Sequence, residues 1–212
     1  MPISGSLLVV TESRPLRLRG PARRLAWALT IPLVLACAVT GTGPTGTGPT
    51  VASAATCQAW SGSQPPNPGD AENEFTGVTV LSPCDAWAVG FAEDSGGLSQ
   101  TLTEHWDGTA WTVVPSPDVT GSGNVLNAVR AESPTDIWAV GESFTTGTGQ
   151  TLILHWDGHT WTQVTSPNPG AGASLSAVRT VSATDAWAVG FFKNGTVDQP
   201  LILHWNGQIW AQ

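Results

Sequence analysis

The sequence predicts an all-β fold made of three repeated units, each a sheet of four short antiparallel strands. Three observations lead to this prediction. The 212 residues include 11 Trp but no Tyr, two Trp-containing motifs each occur three times, and the motifs recur with a period of about fifty residues. The hydrophobic fraction of 41% excludes a disordered acidic chain, because it provides enough apolar material for a core.

The two motifs always occur in the same order and at nearly the same spacing. The first contains Trp-Ala-Val-Gly and occupies residues 84–90, 135–141 and 184–190. The second contains His-Trp, then Asp-Gly or Asn-Gly, and then a further Trp; it occupies residues 101–112, 151–162 and 200–211. Such recurrence in one register does not arise by chance, so the motifs mark structural repeats.

Each repeat divides into four strands, A to D. Strand A is an apolar segment at residues 75–78, 126–129 and 175–178, and strand B carries Trp-Ala-Val-Gly. Strand C ends at His-Trp, strand D begins at the next Trp, and the Asp-Gly or Asn-Gly between them favours a tight hairpin turn. No helical periodicity occurs after residue 40. Four-stranded units of roughly 40–50 residues are typical of β-propeller blades.

The repeats account for most of the tryptophans. Each blade has one Trp on strand B, one at the end of strand C and one on strand D, and we expect these large side chains to fill the wedge between neighbouring blades. Trp60 stands at a strand-D position ahead of the first strand A, because residues 60–69 resemble residues 161–170. The repeat tryptophans are Trp87, Trp106, Trp111, Trp138, Trp156, Trp161, Trp187, Trp205 and Trp210.

Three blades are fewer than the roughly four to eight that normally close a propeller ring. We therefore expect an incomplete ring or half of a six-bladed assembly. Three alternatives remain open: a homodimer that completes six blades, a truncated piece of a larger propeller, or an open arc of three blades. The apolar faces left at the ends of such an arc are typical of interfaces.

The repeats between about residue 60 and residue 212 resemble the WAVG…HWDGxxW repeats of bacterial secreted β-propellers. Their layout is similar to that of Asp-box (sialidase-like) repeats and of photosystem assembly-factor-like repeats. Their period is also that of kelch-type repeats, although Gly90, Gly141 and Gly190 do not supply the Gly-Gly pair of that family. The resemblance implies a β-propeller, but it does not imply catalysis, since one fold carries many functions.

The N-terminal part of the chain has the pattern of an export signal followed by a linker. Residues 1–40 contain a basic segment and then the apolar stretch 25–39, which is short for a membrane span. Residues 41–56 are a Gly/Thr/Pro linker and cleavage region, and residues 57–212 form the three-repeat module. Lipidation at Cys37, a twin-arginine signal and an uncleaved anchor are alternatives. We expect an extracellular bacterial protein, either secreted or tethered to the outer face of the membrane.

Export would place the remaining cysteines in an oxidising compartment. Cys57 and Cys84 are then an even pair, and we predict a disulfide between them. Two free buried thiols are the alternative.

The charge of the repeat module restricts its partners. From residue 56 onward three basic residues oppose fifteen acidic ones, and such a surface repels a phosphate backbone. We therefore expect a protein or glycan partner and no nucleic acid, with membrane contact only through the alternative lipid anchor. The sequence predicts no cofactor and no metal.

The repeated histidines and aspartates have a structural interpretation. They occupy equivalent positions in successive blades, so they do not converge on one metal ion. We predict hydrogen bonds within each blade, because buried polar groups need partners. The residues are His105, His155 and His204, with Asp85, Asp136 and Asp185 as acceptors; a zinc site is the alternative.

Binding is favoured over catalysis. A sialidase-like enzyme requires a Tyr nucleophile and an Arg cluster, whereas the chain has no Tyr and only Arg130 and Arg179 after the signal. No catalytic residue is predicted. Because strands alternate in direction, the variable B–C and D–A connections lie on one face, opposite the constant tight turns. We place the B–C loops at residues 91–100, 142–150 and 191–199.

We expect this variable face to bind a protein or a glycan. The candidate residues are acidic or aromatic: Glu93, Asp94, Asp118, Glu142, Phe144, Phe191, Phe192 and Asp198. A solvated face whose charge only keeps the protein soluble is the alternative for these residues. For the whole protein, the alternatives are a glycan-processing enzyme of sialidase-like propeller type and a structural fragment of a larger propeller.

Overall fold

A computed structural model describes Cys57, Gly62 and residues 64–146 and 148–212. These residues belong to the second of the two units into which the chain divides, Ala52–Gln212. The predicted export signal, Cys37, the linker and Trp60 lie outside the described residues.

The described residues form twelve strands in three antiparallel sheets of four strands, and the strands of each sheet follow in chain order. The predicted all-β fold of three four-stranded blades is confirmed. Within the described residues there is no helix, and the blades do not close into a ring. Blade 1 comprises β1 (Asn73–Ser82), β2 (Asp85–Glu93), β3 (Ser99–Trp106) and β4 (Trp111–Val113); blade 2 comprises β5 (Gly123–Ser133), β6 (Asp136–Thr145), β7 (Thr148–Trp156) and β8 (Trp161–Gln163); blade 3 comprises β9 (Ala173–Ser182), β10 (Asp185–Asn194), β11 (Val197–Trp205) and β12 (Trp210–Ala211).

The connections between strands B and C are shorter than the sequence suggests. Most of the residues expected in these loops belong to the strands, because backbone pairing continues almost to the tip of each hairpin. Thr145 pairs with Thr148 in blade 2, and Asn194 pairs with Val197 in blade 3. In blade 1 the pairing ends at Glu93, which leaves residues 94–98 as the longest of these loops.

The glycine of Trp-Ala-Val-Gly lies where strand A bulges against strand B. A Cβ atom added at Gly90 would lie 1.8 Å from the carbonyl oxygen of Glu74, and one added at Gly141 or Gly190 would lie 1.9 Å from the equivalent carbonyl oxygen. The register between strands A and B shifts beside this position in each blade. The repeated glycine is therefore required because the bulged backbone leaves no room for a side chain.

The hairpin between strands C and D follows from its Asp-Gly or Asn-Gly pair. In blade 1 an oxygen of Asp107 accepts hydrogen bonds from the backbone NH groups of Thr109 and Ala110 at 2.8 and 3.0 Å. Gly108 follows with φ of +92°, a conformation that other residues avoid. A hydrogen bond from the Thr109 hydroxyl, together with these two backbone hydrogen bonds, lowers the pKa of Asp107 to about 2.

Each blade turns a different set of side chains to its two neighbours, since side chains alternate across a strand. We call the side that carries the Trp and Val of Trp-Ala-Val-Gly the leading face, and the opposite side the trailing face. The leading face of blade 1, with Trp87 and Val89, packs on the trailing face of blade 2. The leading face of blade 2, with Trp138 and Val140, packs on the trailing face of blade 3. The core thus lies between blades.

The tryptophans form the same cluster at both of these junctions. Trp87 of blade 1 lies 4.8 Å from Trp156 and 5.5 Å from Trp161 of blade 2, measured between ring centroids. Trp138 of blade 2 lies 5.0 Å from Trp205 and 5.2 Å from Trp210 of blade 3. The interplanar angles agree to within a degree, 53° and 83° against 54° and 84°. Packing between blades therefore accounts for six of the nine repeat tryptophans.

Candidate binding face

The B–C and D–A connections lie together at one end of the blades, which we call the loop face; the A–B and C–D turns form the opposite turn face. In blade 1 the loop face contains a hollow of about 230 Å³ between the β2–β3 hairpin and the two flanking D–A segments. Four carboxylates are among the residues that line it: Asp70, Glu93, Asp94 and Asp118. The hollow thus gathers three of the predicted binding residues and adds Asp70.

Two of the four carboxylates hold the loops in place. An oxygen of Asp94 accepts hydrogen bonds from the backbone NH groups of Gly96 and Leu98 at 2.8 and 2.9 Å. An oxygen of Asp118 accepts a hydrogen bond from the backbone NH of Thr101 at 2.7 Å. Asn168 repeats this last bond to Thr151 in blade 2, also at 2.7 Å. Asp94 and Asp118 therefore shape the hollow in addition to lining it.

The other two carboxylates, those of Asp70 and Glu93, accept no hydrogen bond from the described part of the chain. Asp70 is exposed and Glu93 is half-buried. Polar groups of Gln100, Thr101 and Ser116 lie in the same lining. The hollow consequently presents acceptor oxygens with unused capacity next to hydroxyl and amide groups.

The predicted residues of blade 2 lie outside this hollow. Glu142 is half-buried, and burial raises the pKa of its carboxyl group. Phe144 lies over Gly123, where an added Cβ atom would come within 2.6 Å of its ring. Phe144 also lines a separate shallow depression with Leu98. These two residues are therefore part of the loop face without belonging to the acidic hollow.

The predicted binding residues of blade 3 already contact other residues of that blade or of the core. Lys193 donates to an oxygen of Asp198 at 2.8 Å, and its ammonium lies 5.8 Å from the ring centroid of Phe191. Phe192 packs against the core between blades 2 and 3. The eight predicted residues thus share one face of the protein but lie in three places along it.

The histidines and aspartates of the motifs pair within each blade. The Nε2 atoms of His105, His155 and His204 lie 3.0, 2.8 and 3.0 Å from the Oδ1 atoms of Asp85, Asp136 and Asp185, respectively. Each imidazole also lies against the strand-B Trp of its own blade, with ring centroids 4.2–4.6 Å apart. Among the described residues, no group of three or more His, Cys, Asp or Glu side chains is placed to hold a metal ion.

Glu104 is a charged residue that was not among the residues predicted from the sequence. It occupies strand C of blade 1 at the position of Leu154 and Leu203, and it is fully buried. Within the described residues, neither carboxylate oxygen has a hydrogen-bond partner. Burial raises the pKa of Glu104 to about 7. Its strand neighbours Ala88 and Val113 place it on the trailing face of blade 1.

Cys57 and Cys84 form the predicted disulfide, with their Cα atoms 5.2 Å apart. Cys84 stands in the A–B turn, where the other two blades have Thr135 and Thr184. The bond therefore ties the segment before blade 1 to the turn face.

Within the described residues, no helix has the length and apolar character needed to cross a membrane. Comparison of the sequence with protein-family models and with curated proteins gives no match.

Proposed function

We propose that the protein is a secreted or surface-tethered, non-catalytic binding module that engages a protein or glycan through its loop face. The observation that supports this function best is the hollow in blade 1. There, Asp70 and Glu93 offer carboxylates that the described residues leave without hydrogen bonds. Asp94 and Asp118 hold the adjoining loop backbone by hydrogen bonds.

Charge favours a basic segment of a protein as the ligand. The described residues contain only three cationic side chains besides histidine, and one of them, Lys193, is engaged by Asp198. None of the described cations forms an ion pair with the carboxylates of the hollow. An ammonium or guanidinium group entering the hollow would form charge-assisted hydrogen bonds, which are stronger than neutral ones. Sugar hydroxyls would use the same acceptor oxygens less strongly.

The disulfide supports an extracellular location, since such bonds persist in oxidising compartments. The proposed export signal at residues 1–40 and the alternative lipid anchor at Cys37 agree with this location. The propeller-type repeats support the binding role, because recognition residues on rigid scaffolds concentrate on connecting loops.

The test is a binding screen with the purified protein on an array of Lys- and Arg-containing peptides and on a glycan array. The variant carries Asp70→Asn together with Glu93→Gln, which removes two charges and keeps the loop hydrogen bonds. We expect roughly tenfold weaker peptide binding, since a charge-assisted hydrogen bond contributes about 1.5–3 kcal/mol before solvent screening. Raising the salt concentration should weaken the wild-type interaction.

The matched control is Glu132→Gln, which removes a carboxylate from the turn face. This variant should bind like the wild type. Peptide binding that is equal in all three proteins would contradict the role of the hollow, and glycan binding with the same dependence on Asp70 and Glu93 would assign a sugar ligand to it. Hydrolysis or oxidation of an array sugar would overturn the non-catalytic assignment.

A further inference from the structure

The two junctions inside the chain show which residues one blade uses to receive another. In blade 2, the side chains of Leu126, Val129, Ala139 and Trp161 form a buried cluster with Trp87 and Val89 of blade 1. In blade 3, the equivalent residues Leu175, Val178, Ala188 and Trp210 form a buried cluster with Trp138 and Val140 of blade 2. We call these four positions the socket, and the Trp and Val of the leading face the plug.

Blade 1 carries the same four socket positions, and their strand-A side is open: Phe75 is 37% exposed, whereas Ala88 on strand B is buried. Its four positions are Phe75, Val78, Ala88 and Trp111, and all four line an apolar groove of about 370 Å³ on the trailing face. Val78 is 64% exposed, whereas the equivalent Val129 and Val178 are 9% and 6% exposed. The groove is thus apolar like the two filled sockets. The buried Glu104 is the difference on this face, since Leu154 and Leu203 hold its position in the filled junctions.

Blade 3 carries the same plug in an exposed form. Trp187 and Val189 are 44% and 43% exposed, whereas the equivalent Trp87 and Val89 are 2% and 0% exposed. The Trp187 ring stacks on His204 at 4.2 Å and 28°, close to the 4.2 Å and 31° of Trp138 on His155. The side chain is therefore already held in the orientation that the filled junctions use.

A polar contact also repeats at the junctions and has an exposed donor in blade 3. The hydroxyl of Thr76 donates to the carbonyl of Leu126, and the side-chain amide of Asn127 donates to the carbonyl of Leu175 at 2.8 Å. Ser176 occupies the same position on strand A of blade 3 and is exposed. The equivalent acceptor on the socket side would be the carbonyl of Phe75.

We propose that the socket of blade 1 receives the plug of blade 3 from a second copy of this chain, so that two copies close a six-bladed ring. Each chain then supplies one plug and one socket, and a two-fold axis relates two identical head-to-tail junctions. Trp187 and Val189 enter the groove, and the Ser176 hydroxyl donates to the carbonyl of Phe75 in the other copy. Six blades lie within the roughly four to eight at which propellers close.

A second copy fits these surfaces because the same residue types already pack together twice within the chain. Trp187 and Val189 repeat the identities of the plugs in blades 1 and 2. At the socket, Ala88 and Val78 repeat Ala188 and Val178 of blade 3, while Phe75 replaces Leu175 by a larger apolar side chain. Pairing of this kind also removes two large apolar surfaces from water, which is the main driving force for association.

The test measures the mass of the full chain, as its expression host processes it, by sedimentation velocity and light scattering over a range of concentrations. We expect twice the chain mass found under denaturing conditions. Trp187→Asp should shift the protein to the monomer, with far-UV circular dichroism and thermal unfolding showing that the blades remain folded. The matched control is Ile209→Asp, which places the same charge on an exposed apolar residue of the C–D turn and should leave the dimer intact.

Val78→Asp provides an independent variant, since it disables the socket and leaves the plug. Each of the two variants alone should be monomeric, and their equimolar mixture should recover a dimer joined by one junction. A wild-type protein that stays monomeric at every concentration would overturn the proposal. In that case further residues of the chain or another molecule would cover the socket of blade 1 and the plug of blade 3. An assembly larger than two copies, or a dimer that survives Trp187→Asp, would overturn it as well.

Discussion

Replacing Glu104 with leucine tests whether a buried carboxyl group limits the stability of blade 1. Glu104 is fully buried, and both of its carboxylate oxygens are without a partner among the described residues. Leucine is the residue at the equivalent positions 154 and 203, both of which are completely buried. The Glu104→Leu side chain therefore enters a position whose backbone setting accepts it twice elsewhere in the fold.

The pH dependence of the effect follows from the pKa of Glu104, which is about 7 in the folded protein against an ordinary 4.5. Below pH 4.5 the group is protonated in both the folded and the unfolded chain, so its full stability contribution is present. Between pH 4.5 and 7 the unfolded chain releases its proton while the folded protein retains it. The free energy of unfolding then falls by about 1.4 kcal/mol per pH unit, or about 3 kcal/mol in total.

The assay is urea unfolding of the wild type and Glu104→Leu at pH 4 and pH 8, followed by Trp fluorescence at one fixed protein concentration. We expect the variant to be more stable at both pH values, because a buried polar group without a hydrogen bond is unfavourable even when neutral. The difference between the two proteins should be about 3 kcal/mol larger at pH 8 than at pH 4. Glu132→Gln, an exposed replacement, should show no such change.

Equal stability differences at pH 4 and pH 8 would refute the reasoning, because they would mean that folding does not change the pKa of Glu104. A variant less stable than the wild type at pH 8 would refute it too, since the site would then favour the carboxylate. Glu142, whose pKa is also raised by burial, contributes equally to both proteins and cancels from the comparison.

Three further predictions concern the frame of the blades. Gly141→Ala should prevent folding of blade 2, seen as loss of the strand signal in far-UV circular dichroism, because its Cβ atom would lie 1.9 Å from the carbonyl oxygen of Val125; a folded variant would show that the bulge can relax. Cys84→Ser should lower the free energy of unfolding by about 3.5 kcal/mol in the chain-entropy model for a loop of this length, measured against the wild type with and without a reductant; an unchanged midpoint would contradict this. Asp107→Ala should lower the melting temperature above pH 4, and the difference should vanish as the pH approaches 2, because the pKa of Asp107 is depressed from 3.8 to about 2 and its stabilising hydrogen bonds need the carboxylate; Asp107→Asn, which copies Asn206 of blade 3, is the control that should retain the turn.

The blades could be predicted from the sequence because each motif residue is needed at one particular place in the blade. The glycine after Trp-Ala-Val marks the bulge, Asp-Gly marks the C–D hairpin, and each Trp marks a junction, so their recurrence sets the strand order. The lengths of the B–C hairpins could not be predicted in the same way. Thr145 and Thr148 show no apolar alternation, and their pairing depends on the ladder that continues from the buried part of the strands.

The candidate site was predictable only as a face. The direction of the strands places Glu93, Asp94 and Asp118 at one end of blade 1, but the sequence does not show which carboxylates turn back to the loop backbone, because that depends on loop conformation. Glu104 was missed although a comparison of the three copies of its motif would have found it. Acidic residues are usually solvated. The one sign in the sequence that Glu104 is buried is its position, which leucine holds in the other two blades as Leu154 and Leu203.

The sharing of tryptophans between blades has a consequence for how the chain opens. Trp87 and Trp138 complete their packing on the following blade, so part of the stability of a blade belongs to its neighbour, as in linear repeat arrays. Blade 2 takes part in both internal junctions, whereas blades 1 and 3 each take part in one. Unfolding of the single chain should therefore begin as fraying from the ends, with β6 the last strand whose amide protons exchange with solvent.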